Sequence, residues 1–82
     1  MHELKIIEPY FTDVLKGIKT FEVRKNDRNF KVGDIVKLRK YDADTLLYSG
    51  EEILVEIKYI LDDTKYCKDG YVIFGFDSII PS

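Results

Sequence analysis

The stretch Gly17-Ile18-Lys19-Thr20-Phe21-Glu22-Val23-Arg24 is where the hydrophobic period of this chain changes. Before it, Tyr10, Phe11, Val14, Leu15 and Ile18 recur at i, i+1, i+4, i+5 and i+8, the apolar stripe of an amphipathic helix. Pro9 opens that helix, since a proline in the first turn gives up no needed N–H. Gly17 closes it, because glycine tolerates the left-handed cap conformation. The spacing predicts a helix of about three turns, roughly Pro9 to Lys16, too short to persist without a sheet beneath it. From Phe21 onward the period is two. Phe21 and Val23 are expected to face the core, with Thr20, Glu22, Arg24 and Asn26 sharing the opposite face.

Working outward, Leu4-Lys5-Ile6-Ile7 reads as a short strand before the helix. After Arg24, the run Asn26 to Asn29 is a polar turn, and Phe30-Lys31-Val32-Gly33-Asp34 enters the next strand through a glycine turn. Ile35 to Tyr41 is a strand with Val36 and Leu38 on one face. Asp42 to Gly50 reads as a loop. Glu52 to Leu61 alternates cleanly, with Ile53, Val55, Ile57, Tyr59 and Leu61 on one side. Asp62 to Gly70 is a polar loop. Tyr71 to Phe76 is apolar on both faces and reads as a central strand; Ile79 and Ile80 suggest a last short edge. The sum is one domain over residues 1–82, mainly β with one early α-helix (α+β), about five strands curled into a small barrel. Phe11, Val14, Leu15, Phe21, Val23, Val36, Leu38, Val55, Ile57 and Phe74 are the expected core.

Composition removes several classes of function. The chain has 82 residues, 45% of them hydrophobic and 34% charged, so it can bury one modest core and is not compositionally disordered. Its longest apolar runs are far below the roughly 20 residues of a membrane helix, and Met1-His2-Glu3-Leu4-Lys5 lacks the basic-then-apolar pattern expected of a secretory leader. Cys67 is the sole cysteine and His2 the sole histidine, which excludes an internal disulfide, a zinc set, a Cys-His dyad and a Ser-His-Asp triad. No metal and no cofactor are expected, and a reducing cytoplasm is the expected compartment.

The net charge of −2 is unevenly spread. Residues 16–40 hold nine cations and three acids, while the rest of the chain holds four cations and twelve acids. A basic segment in an acidic chain either attracts anions or pairs with acids from elsewhere in the fold. Within it, Lys19 offers a point charge and Arg24 a planar fork suited to phosphate or a base edge. Glu22 can orient either, or accept from an exocyclic amine. The plain alternative is a solvated strand face carrying one ion pair. Tyr41, Tyr48, Tyr59, Tyr66 and Tyr71 could stack on bases. Half-burial with a wet hydroxyl is the preferred reading for Tyr59 and Tyr71.

Gly17 to Arg24 fits G-x-K-T-x-E-x-R after a helix, and Val32-Gly33-Asp34 follows about ten residues later. This order resembles the activating-signal-cointegrator homology (ASCH) domain of the PUA-like superfamily. The continuation through Tyr41-Asp42 and Lys68-Asp69-Gly70-Tyr71-Val72 is similar to a small bacterial and phage subgroup of unknown function. The resemblance implies a PUA-like β-barrel and an association with RNA or a nucleotide-like ligand. Motif spacing and a shared strand face put the expected site at Lys19, Glu22 and Arg24, in a cleft near the end of the helix, with Thr20 and Arg28 at its rim.

Three readings follow. The first is an RNA- or nucleotide-binding module, favouring single-stranded or irregular RNA, since a small curled sheet has no helix built to enter a DNA groove. The second is a hydrolase. Some ASCH-fold proteins are amidohydrolases acting on N4-acetylcytidine with a lysine, a threonine and a glutamate. Lys19 matches the lysine and is the one catalytic candidate, but the threonine position, three residues on, is Glu22 here. The third is a phage or host protein-interaction module, which an exposed apolar patch around Leu46 and Leu47 would favour.

Overall fold

The computed structural model describes residues 1–79. In chain order the elements are β1 (His2–Ile6), α1 (Tyr10–Leu15), β2 (Phe21–Lys25), β3 (Ile35–Asp42), β4 (Leu47–Leu61) and β5 (Tyr71–Ser78). The fold is mainly β with one early helix. All five strands form one sheet in the order β1-β3-β4-β5-β2. β1 runs parallel to β3, and the other pairings are antiparallel.

The sheet is curled into a half-barrel whose edges are β1 and β2. Were it flat, four inter-strand spacings would hold those edges about 19 Å apart. Instead the guanidinium of Arg24 on β2 reaches the carbonyl of Lys5 on β1, Nη2 to O 2.6 Å. The concave side holds the core, in which Phe11 and Val14 of the helix meet Leu4, Ile6, Val36, Leu38, Val55, Ile57, Val72 and Phe74. Phe30 joins from the loop before β3, and its ring stacks on Phe74 at 5.0 Å.

The helix is shorter than its apolar stripe predicts. Glu8 accepts from the backbone N–H and the hydroxyl of Thr12, fixing the first turn. At the far end the N–H of Gly17, at φ 76°, bonds Val14 O, and that of Ile18 bonds Asp13 O. This is a Schellman closure, and it stops the helix after six residues. Two turns bury only an i, i+3 pair, Phe11 and Val14, so Leu15 is exposed and not in the core.

Two further departures concern which way strands face. On β2, Glu22 pairs with the buried Phe74 and therefore points inward, only 6% exposed, while Phe21 and Val23 point outward at 46% and 51%. On β4 the register shifts between Ile57 and Tyr59. The extra residue reverses the alternation, so Ile60 packs against the core and Tyr59 stands 67% exposed, against the half-buried expectation. Tyr71 is half-buried.

The β3–β4 hairpin is tighter than a loop over residues 42–50. Asp42 Oδ1 accepts from the N–H groups of Asp44 and Thr45, its carbonyl accepts from Leu46, and β4 begins at Leu47. Ile79 follows β5 without strand structure, and Ile80, the other half of the expected last edge, lies outside the described residues.

Candidate functional site

Lys19 leaves the Schellman turn and enters the seam between the two edge strands. Its ammonium donates to Phe21 O at 2.9 Å and to Glu22 Oε1 at 2.6 Å. Glu22 Oε2 accepts from Arg24 Nε at 3.1 Å, and Arg24 in turn holds the Lys5 carbonyl. One buried carboxylate thus clamps two cations that stay partly exposed, their side chains at 17% and 25%. The net charge of the cluster is positive. An ammonium has three N–H donors and a guanidinium five, so both cations keep donors free for a ligand.

The cluster lines a cleft of about 420 Å³ between β1 and β2, with Lys5, Ile6, Ile7, Tyr10, Phe21 and Val23 as its other walls. That volume lies in the range of small-molecule sites. The Lys19 ammonium sits 5.6 Å from the Tyr10 ring centre and 5.3 Å from that of Phe21, so cation and aromatic faces share the mouth. A larger cleft of about 500 Å³ lies beside the β3–β4 hairpin, where Ile7, Tyr41, Leu47 and Tyr48 meet Glu8, Lys40, Asp42 and Asp44. Its charge is mostly acidic, so an anion is better served by the seam.

Of the residues singled out from sequence, Lys19, Glu22 and Arg24 come together. Thr20 is exposed and does not line the cleft; its carbonyl accepts from Phe76. Arg28 lies outside the cluster, in the loop after β2, 3.8 Å from Asp27. The sequence reading missed Tyr10 and the Lys5 carbonyl, because the strand-to-strand seam that joins them to Lys19 is a tertiary feature. The one available signal was Tyr10 on the helix face turned toward Gly17.

The chain belongs to the family described as "Domain of unknown function (DUF3850)". Residues 1–76 match the model of that family. A relative from Escherichia phage P2, whose name reads "Uncharacterized 12.9 kDa protein in GpA 3'region", is 33% identical over 69 residues. The match takes in 84% of this chain but 62% of the relative, so the chain spans less than two thirds of that protein's length. In this DUF3850 domain the basic segment is largely paired. Arg39 meets Glu3 and Glu52, Lys37 meets Glu52, and Lys40 meets Glu8 and Glu51. Among the described residues Lys16, Lys25 and Lys31 make no ion pair. None of the helices in the structure is long and apolar enough to cross a membrane, and no group of three metal-ligating side chains converges among the described residues.

Proposed function

We propose that this domain is an ASCH-like, PUA-like module that binds RNA or a nucleotide in the seam between β1 and β2. The observation that supports it is the clamp of Glu22 on Lys19 and Arg24, which presents two oriented cations and a net positive charge beside the Tyr10 and Phe21 rings. A phosphate satisfies the cations, and a base finds the aromatic wall. Because Lys37, Arg39 and Lys40 are spent on acids, the footprint is one or two phosphates instead of the whole basic segment. A hydrolase reading finds less support, since no serine or threonine joins Lys19 in the cleft.

The test is fluorescence anisotropy with single-stranded RNA oligomers at low salt, with a DNA control. With two phosphates at most, the log–log salt slope should fall between about −0.7 and −1.4. Arg24→Ala and Lys19→Gln should weaken binding, and Lys65→Ala, on an exposed loop, should not. Binding indifferent to salt and to both cluster variants would sink the proposal.

A further inference from the structure

The outer face of the half-barrel is divided in two. Over β1, β3 and the start of β4 it is charged and internally paired: Glu3, Lys37, Arg39 and Glu52 form a chain of ion pairs. Over β2, β5 and the end of β4 it is apolar at its centre, with the Glu56–Lys58 ion pair at the edge beside Asp77. Register places Phe21 and Tyr59 on either side of Gly75, and Val23 and Leu61 on either side of Ile73. Phe21, Val23 and Tyr59 are exposed, and Ile73 and Leu61 half-exposed. Both places where the strands face opposite to their hydrophobic pattern, the turned β2 and the bulge in β4, deliver side chains to this patch. A local rule broken twice toward one surface is the mark of a surface with a task. Gly75 leaves a trough between two aromatic rings at its centre.

We infer that this patch docks against a second copy of the same chain, face to face across a two-fold axis. Charge at its two ends selects that occupant. Lys25 stands beside Tyr71 at one end of β5, and Asp77 stands on the same face at the other. Neither has an ion pair among the described residues. Six residues of strand, about 20 Å, keep them from meeting within one chain. A two-fold axis through the middle of β5 brings Lys25 of each copy to Asp77 of the other. It also lays Ile73 of each copy over the other's Gly75 trough. An isologous contact requires this kind of self-complementarity, and two sheets pack in this way about 10 Å apart. Phe21 and Val23 also wall the seam between β1 and β2, so the two surfaces adjoin, but the inference rests on no ligand in that seam.

Sedimentation velocity across a series from micromolar to millimolar chain is the test. Wild type should pass from monomer to dimer. Gly75→Val fills the trough and should weaken dimerisation about tenfold or more. Its monomer should stay folded, because a Cβ at Gly75 meets only ordinary contacts, 3.8 Å to Thr20 O and 3.9 Å to Tyr59 Cβ. Lys25→Glu should also weaken the dimer, and adding Asp77→Lys should restore it. A wild type monomeric throughout overturns the inference, as does a dimer indifferent to Gly75→Val and to the charge exchange.

Discussion

Replacing Glu22 with alanine tests the energetic reading of the clamp. The carboxylate is buried and takes one hydrogen bond from each of two cations, at 2.6 and 3.1 Å. Removing one partner of a buried ionic group costs about 3–5 kcal/mol, because the remaining charge is left uncompensated. Here Lys19 retains Phe21 O, Arg24 retains Lys5 O, and water reaches both, so the low end applies, about 3 kcal/mol. In a domain of this size each 1 kcal/mol moves Tm by about 4–8 °C, so the melting point should fall by roughly 12–24 °C. Urea denaturation should show the same loss as a lower midpoint at unchanged slope. Glu22→Gln keeps the shape and one acceptor and should lose roughly half as much. The triple change Lys19→Met, Glu22→Leu, Arg24→Met should recover much of the stability, since apolar replacement of a whole buried ionic group is often neutral or better. A loss below about 1 kcal/mol for Glu22→Ala would place Glu22 among ordinary surface ion pairs and refute the clamp.

Two other outcomes are expected. The Asp34 carboxyl titrates below its usual range, chiefly because His2 bonds it at 2.9 Å, with help from the Lys31 N–H and against the cost of burial. Its stabilisation is therefore complete above the ordinary value of 3.8 and is lost as pH falls through the lower folded value, so Asp34→Asn should flatten the acid limb of a stability–pH curve. Leu46 adopts φ 61° at an exposed hairpin position, a conformation costing a branched residue about 1–2 kcal/mol, and Leu46→Gly should raise stability by up to about 1 kcal/mol in chemical denaturation.

The succession of strands along the chain, the helix and most of the core follow from period and punctuation alone. Val36, Leu38, Val55, Ile57 and Phe74 are buried where alternation places them. The two misplaced strand faces share one physical cause. Alternation states that two sets of residues face opposite ways, but not which set faces in. On β2 the rule of apolar-inward chose Phe21 and Val23, whereas pairing with Phe74 turned Glu22 inward, a choice made affordable by Lys19 and Arg24 on either side of it in sequence. On β4 a single inserted residue reversed the faces midway, and no glycine or proline marks the spot. The convergence of Lys19, Glu22 and Arg24 was legible because it is local; the seam that makes it a cleft was not, because it joins residues on the two edges of a sheet.

The order of strands also bears on how the chain is made. β3, β4 and β5 form a run of neighbouring antiparallel pairs, but β1 must wait for β3, and β2 pairs with β5, which follows it by some fifty residues and is the last of the described strands. Translation therefore releases every residue of the cleft within the first 24 residues, yet Phe21, Glu22, Val23 and Arg24 have no partner strand until β5 emerges. Contacts so distant in sequence are slow to close, and until they do Phe21 and Val23 belong to an unpaired edge open to other chains. A ribosome halted before Tyr71 would hold a polypeptide with Lys5, Tyr10, Lys19, Glu22 and Arg24 all present and no cleft formed by them.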